Sequence, residues 1–252
     1  MINHMEVACV PVSLVNLALA CNEVERLLCT GESGYVVFRD MHGIVRAADD
    51  KELRCAHQDA FLVAPDGMPL VWIARWLGFK HVGRVYGPDF LLEFCRRTEH
   101  SGYRHYFYGS TDHVGTKLIG EIKRRFPAIK IGGRYAPPFG ALADQLSLEE
   151  VERIRAARAN VVWIGLSTPK QELWMRRHVS YLPGCVLLGV GAAFDFHAKT
   201  KRQAPLWMQR SGLEWSFRLL TEPRRLGRRY LVGIPRFLWL LATRGVHVPA
   251  SD

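Results

Sequence analysis

Residues 161–178 read VVWIGLSTPKQELWMRRH, and the reading of this stretch decides the class of the whole chain. VVWIGLS (161–167) is a continuous apolar strand, the kind buried on both faces of a parallel sheet. STPKQELWMRRH then opens a helix, with Pro169 near its first turn. CVLLGVG (185–191) is a second buried strand of the same kind. Working back towards the N-terminus, the pattern repeats. HYFYGS (105–110) is a short strand, and HVGTKLIGEIKRRF (113–126) places Val114, Leu118, Ile122 and Phe126 on one helical face. AIKIGG (128–133) returns as a strand and YAPPFG (135–140) as a loop. SLEE (147–150) has the form of a capping box and starts a helix running to about Ala159. Strands alternating with helices from about residue 81 to 196 imply an α/β fold, a parallel sheet with helices on both faces. Ligands in such sheets bind at the carboxyl ends of the strands.

Composition agrees with an ordinary globular protein: 252 residues, 48% hydrophobic and 23% charged. The net charge of +10 favours a polyanionic partner, whether phosphates, an acidic membrane surface or nucleic acid. Six cysteines, Cys9, Cys21, Cys29, Cys55, Cys95 and Cys185, form no C-x-x-C pair and read as buried, reduced thiols of a cytosolic protein. They offer no zinc-type spacing, and no metal is expected. VACVPVSLVNLALA (7–20) has no Lys or Arg before it and is interrupted by Pro11 and Asn16. It reads as a short strand and then a helix from near Ser13, not as a secretion signal. No run of about 18 apolar residues suggests a membrane span.

Beyond residue 196 the character changes, which divides the chain into a domain of residues 1–196 and an appendage of residues 197–252. Eleven basic residues lie between Lys199 and Arg244, opposed only by Glu214 and Glu222 and interleaved with Trp207, Trp215, Phe217, Tyr230, Phe237 and Trp239. EPRRLGRRYLVGIPRFLWLL (222–241) is a basic, amphipathic helical sequence suited to a membrane interface. The concentration of leucine and tryptophan suits lipid better than nucleic acid, so no nucleic-acid partner is expected.

Polar residues gather at five expected strand ends: Asp40 and His42 in VVFRDMHG, Asp66 in APDG, Gly109 to Asp112 in YGSTD, Ser167 to Gln171 in GLSTPKQ, and Gly189 to Asp195 in GVGAAFD. Free backbone N–H groups at such turns make anion sites. There is no G-x-x-x-x-G-K-[ST], no G-x-G-x-x-G after the first strand and no Asp-x-Asp pair. The bare motifs leave two rivals open, a sugar-nucleotide oxidoreductase and a basic nucleic-acid-binding module.

APDGMPLVWIARWLG (64–78), GRVYGPDF (83–90), WIGLSTPKQELWM (163–175) and the segment from GVGAAFDFHAKTKRQAP to EPRRLGRRY (189–230) together resemble the WecG/TagA/CpsF family of bacterial glycosyltransferases, over roughly residues 35–240. The resemblance implies a Rossmann-like fold without cofactor or metal. It implies inverting transfer of a hexose or N-acetylhexosamine-type sugar from a UDP-sugar to a sugar on undecaprenyl diphosphate, for cell-surface polysaccharide assembly. It further implies a C-terminal appendage that closes the site and meets the membrane. By the same match Asp66 is the general base, and Arg84 and Gln171 contact substrate. Arg39-Asp40-Met41 departs from the family, where relatives carry Asn or Gly before a small residue.

Read locally, Asp66 suits a helix N-cap as well as a base, Arg84 a surface arginine, Gln171 an exposed first-turn residue. His42 and His197 suit structural roles, and Asp195 a buried paired carboxylate. The combined expectation is a catalytic Asp66. Asp40, His42, Arg84, Gly109, Ser110, Gln171 and Gly191 contact substrate, and Arg218, Arg224, Arg225, Arg228 and Arg229 meet the acceptor diphosphate or an anionic membrane. The protein is expected in the cytoplasm, peripheral on the inner face of the membrane. A homo-oligomer stays open.

Overall fold

The computed structural model describes residues 2–138 and 146–249, without the side chains of Arg210, Arg225 and Arg228. The elements in chain order are β1 (His4–Val7), β2 (Val10–Ser13), α1 (Leu17–Thr30), β3 (Gly34–Arg39), α2 (Met41–Asp49), α3 (Lys51–Gln58), β4 (Leu62–Pro65), α4 (Met68–Trp76), α5 (Gly87–Thr98) and β5 (Arg104–Gly109). They continue with α6 (Asp112–Arg125), β6 (Lys130–Tyr135), α7 (Leu148–Ala156), β7 (Val161–Gly165), α8 (Lys170–His178), β8 (Val186–Gly189), α9 (Ala193–His197), α10 (Leu206–Arg210), α11 (Glu214–Thr221), α12 (Pro223–Arg244) and β9 (Val246–His247).

Among the described residues, six strands form one sheet in the order β4-β3-β8-β7-β5-β6, and every pairing is parallel. Successive side chains of a strand point to opposite faces, and both faces here are covered. Val36, Phe38, Phe107, Trp163 and Leu188 pack with α1, α5, α6 and α9 on one side. Tyr35, Val37, Tyr108, Ile164 and Leu187 pack with α7 and α8 on the other. This double burial is why β7 and β8 read as unbroken apolar runs.

Helices α6 and α7 start where the sequence placed them. Thr111 caps α6 through Val114 N–H, and Val114, Leu118 and Ile122 are buried. Ser147 caps α7 through Glu150 N–H. The Glu150 side chain does not complete a capping box; it accepts from Tyr108 Oη at 2.7 Å and Trp174 Nε1 at 2.9 Å. The helix stops at Ala156, short of Ala159. The loop expected over 135–140 begins with the last residue of β6, and its residues 139 and 140 lie outside the described residues.

Two readings of the N-terminal region are corrected. The stretch 7–20 holds not one strand and a helix from Ser13 but the second half of a hairpin, and α1 begins at Leu17. Asn16 sets that start by accepting from Leu19 N–H at 3.0 Å. The hairpin was hidden because its turn, Ala8 and Cys9 at φ 51° and 67°, contains no glycine. All six cysteines are free, but only Cys21, Cys95 and Cys185 are buried. Cys9 is exposed at that turn, and Cys29 is exposed in the last turn of α1.

A second, small sheet has the order β2-β1-β9, so the chain returns to its N-terminal hairpin after residue 245. A third apolar cluster joins Met5, Val7 and Val12 of the hairpin to Ile44 and Ala47 of α2, Leu70 and Ala74 of α4, and Phe237 and Leu240 of α12. The last helix is thus docked over α2, beside the carboxyl end of β3. Among the described residues, no helix is long and apolar enough to cross a membrane.

The carboxyl ends of β5 and β7 meet through glycine. A Cβ on Gly109 would lie 2.8 Å from the Gly165 carbonyl carbon, and Gly109 has φ 109°. Gly109→Ala is expected to destabilise the fold by about 2 kcal/mol or more, from backbone strain and the forced separation of the strands. Chemical denaturation of the two proteins measures it.

Candidate active site

The carboxyl ends of β3, β4, β5, β7 and β8 surround a cavity of about 1120 Å³, roofed by α11 and α12. From β3 and α2 come Arg39, Asp40, His42 and Arg46; from β4, Asp66; from β5, Ser110; from β7 and α8, Ser167, Thr168 and Gln171. Gly191 and Asp195 follow β8, and Arg218, Glu222, Leu226, Arg229 and Val232 form the roof. The volume lies just above the roughly 300–1,000 Å³ usual for one small ligand.

The floor is organised by Arg39. Its buried guanidinium pairs with Oε1 of the fully buried Glu172 on α8. The same oxygen accepts from Thr168 Oγ1 at 3.0 Å and Gln171 Nε2 at 2.9 Å. Gln171 Nε2 also donates to the Gly189 carbonyl at 3.1 Å, while its Oε1 is buried without a partner among the described residues. Gln171 is therefore a buried residue with one acceptor to spare, not an exposed first-turn residue. The main-chain carbonyl of Arg39 accepts from the N–H groups of Asp66 and Gly67, at 2.8 and 3.3 Å. One residue thus ties the floor to the Asp66 turn.

Asp66 does not cap α4. That helix has Gly67 at its N-cap and no side-chain cap bond. The carboxylate instead faces Arg84, whose Nε donates to the Asp66 carbonyl at 2.5 Å and whose Nη2 reaches Oδ1 at 3.3 Å. Burial pushes the Asp66 carboxyl up to about 7. Arg84 and Arg218 oppose that rise, and the nearby carboxylates Glu214 and Asp40 add to it. Such a group sits near its midpoint at neutral pH, where a proton acceptor works best.

Asp40 behaves oppositely. Burial would raise its carboxyl, but Arg229 foremost, then Arg39 and the Gly43 N–H, hold it below the usual carboxylate range. Its side chain caps α2 through Gly43 N–H at 2.9 Å and forms an ion pair with Arg229 of α12. His42 is held down to about 4, by burial first and then by Arg229, so it is neutral at pH 7.

Several expected residues fall elsewhere. Arg84 does not line the cavity; it stands behind Asp66 and is no isolated surface arginine. Gly109 packs against Gly165 outside the cavity wall. Ser110 and Gly191 line the cavity, but their N–H groups are taken by the carbonyls of Gly165 and Ile164, each at 3.1 Å. They are not free anion donors; the cationic side chains that line the cavity are Arg39, Arg46, Lys201, Arg218 and Arg229. Arg46 donates to the Thr168 carbonyl at 3.2 Å, and neither it nor Arg218 forms an ion pair among the described residues. Arg224 is exposed outside the cavity, and the Arg225 and Arg228 side chains lie outside the described residues. His197 is structural: buried, with Nε2 2.9 Å from the Pro88 carbonyl. Asp195 lines the cavity in an ion pair with Lys201 at 3.2 Å.

Sequence reading missed Glu214, treated there only as an offset to the basic tail. It is buried, accepts from Arg84 Nη2 at 2.6 Å and from Tyr86 Oη at 3.0 Å. A lone carboxylate between leucine and tryptophan in GLEW (212–215) was the available signal, since a carboxylate in apolar company is kept only when paired.

The model of the family described as "Glycosyl transferase WecG/TagA/CpsF family" matches residues 5–249. A Bacillus spizizenii N-acetylglucosaminyldiphosphoundecaprenol N-acetyl-beta-D-mannosaminyltransferase is 31% identical over 179 residues, 71% of this chain and 67% of that protein. Proteins of the same description from Bacillus subtilis and Staphylococcus aureus are 29% and 28% identical. Those matches cover 69% and 75% of this chain and 66% and 72% of the relatives. With the family model spanning nearly its whole length, the chain belongs to the WecG/TagA/CpsF family of glycosyltransferases.

Proposed function

We propose that this protein transfers a hexose or N-acetylhexosamine-type sugar from a UDP-sugar to a sugar carried on undecaprenyl diphosphate, with inversion at the anomeric carbon. One observation carries the reading: a carboxyl group poised near 7, Asp66, on the wall of a strand-end cavity roofed by arginines. The relatives' names, which specify a diphosphoundecaprenol-linked acceptor, support it.

In the proposed reaction the acceptor hydroxyl gives its proton to Asp66 as its oxygen bonds to the anomeric carbon. The bond from that carbon to the diphosphate oxygen breaks, and its electron pair leaves with UDP. Arg46, Arg218 and Arg229 offset the charge that develops there, in the role a metal ion would otherwise take. Gln171 offers its unpartnered Oε1 to a substrate hydroxyl or N–H. Large apolar side chains of the roof helices are exposed, Leu220 at 80% and Leu231 at 77%, as is Trp76 of α4 at 86%. Together with the basic tail these side chains suit an anionic leaflet at the cytoplasmic face, where the lipid-linked acceptor resides.

With UDP-sugars and a short-chain lipid-diphosphate sugar, release of UDP is expected, undiminished by a chelator. Loss of release on chelation overturns the arginine assignment. Asp66→Asn is expected to cost at least ~100-fold in turnover, the usual scale of general-base loss. Full activity in that variant removes Asp66 from the chemistry.

The same carboxyl has a stability signature. Its folded-state value lies above its value in the unfolded chain, so its stabilising contribution is complete below about 4 and is lost as pH rises through about 7. Asn carries no such dependence. The melting temperature of Asp66→Asn relative to wild type is therefore expected to rise between pH 5 and pH 8.

Membrane attachment is tested without truncation, because Phe237 and Leu240 of the tail are core residues. Leu220→Gln with Leu231→Gln is expected to leave the fold intact and to weaken binding to anionic liposomes severalfold.

A further inference from the structure

Arg84 divides its donors unequally. Nε donates to the Asp66 main-chain carbonyl at 2.5 Å and Nη1 to the Gln209 carbonyl at 3.3 Å. Nη2 makes a short bond of 2.6 Å to Glu214 Oε2, and its contact with Asp66 Oδ1 is a marginal 3.3 Å. Charge-assisted bonds of this type are strongest near 2.7–2.9 Å, so the guanidinium is committed to Glu214. Glu214 in turn cannot swing away. Its other oxygen accepts from Tyr86 Oη at 3.0 Å, and the Tyr86 ring lies beneath the guanidinium at 4.1 Å.

We propose that Glu214 is a positioning residue for the transfer reaction: by holding Arg84 to itself, it keeps Asp66 from being locked in a full ion pair and so keeps it able to accept a proton. The inference rests on the reading of Asp66 as the base.

An arginine directly paired with a carboxylate makes that carboxylate a poorer base, and a second carboxylate nearby has the opposite effect. Glu214 supplies both benefits at once, as competitor for the cation and as like charge. The other charged groups around Asp66 leave the assignment to Glu214 intact. Asp40 faces it from the β3–α2 turn but is itself neutralised by Arg229 of α12. Arg218 of α11 is a cation and acts against the base. Asp89, in the first turn of α5, has its own carboxyl raised by burial first. Tyr86 stays protonated, because burial and Glu214 push its hydroxyl up. Glu214 is therefore the residue whose removal redirects Arg84.

The experiment compares kcat/KM against pH for the full-length wild type, Glu214→Gln, Glu214→Ala, Glu214→Asp and Asp66→Asn, with folding checked by melting temperature. Wild type should show an acid limb near pH 7. In Glu214→Gln and Glu214→Ala, Arg84 turns to Asp66. The limb should then move down by about one pH unit or more, the scale of a new arginine–carboxylate pair. The alkaline plateau should fall as well, because the base is weaker. Glu214→Asp keeps the charge and should restore the wild-type limb, whatever its rate.

A lower rate with the limb unmoved in both neutral variants makes Glu214 a packing residue only and overturns the proposal. If one neutral variant does not fold, the limb position in the other, set against Glu214→Asp, decides in the same way. A pronounced loss in Asp66→Asn beside an unmoved limb in Glu214→Gln sinks this inference and leaves the base assignment standing. Full activity in Asp66→Asn sinks both.

Discussion

Arg39 is the constraint on which the site depends. A guanidinium and a carboxylate buried together incur a large desolvation cost, and only good geometry with further hydrogen bonds offsets it. Here Glu172 Oε1 gathers Arg39, Thr168 and Gln171, so the pair fixes the loop after β7 against the end of β3. The same residue's carbonyl holds the Asp66 and Gly67 N–H groups. The arrangement requires glycine at position 43, since a Cβ there would lie 2.1 Å from Arg39 Nη1. The distance between the proposed base and the proposed sugar contact is therefore set by a charged centre that is itself 2% exposed.

Around that floor the two acidic residues at the strand ends are driven apart in character. Asp40 has the tail's Arg229 to itself and stays ionised. Asp66 shares Arg84 with Glu214, so burial prevails over the cation's pull. Two aspartates, each following a parallel strand, thus serve different ends: one fastens the roof, the other is left poised. The C-terminal segment adds to the difference by supplying Arg229 beside Asp40 and Glu214 beside Arg84.

The α/β class and the ligand-binding edge were legible because buried parallel strands have a distinct apolar signature, as VVWIGLS and CVLLGVG illustrate. Asp66, Gln171 and Asp40 were legible as polar residues at strand ends. What stayed hidden depended on contacts between residues far apart in sequence. Arg84 sits 130 positions from Glu214 and Arg39 133 from Glu172, and no local pattern reports such pairs. Glycine-rich turns misled in one respect: Ser110 and Gly191 have the right residue types for an anion cradle, but neighbouring strands occupy their N–H groups. The N-terminal hairpin was missed for the converse reason, a left-handed turn built without glycine.

The short pairing of Val7 with Val246 and Glu6 with His247 closes the outer side of β1. Without it, a narrow two-stranded ribbon would offer an unsatisfied row of main-chain donors and acceptors, the kind of margin through which chains stick to one another. This protein covers that margin with its own distal residues. The pairing that covers the ribbon also holds the far end of the helix whose first half, at Leu226 and Arg229, lines the cavity, so one strand contact serves both the sheet edge and the placement of that helix.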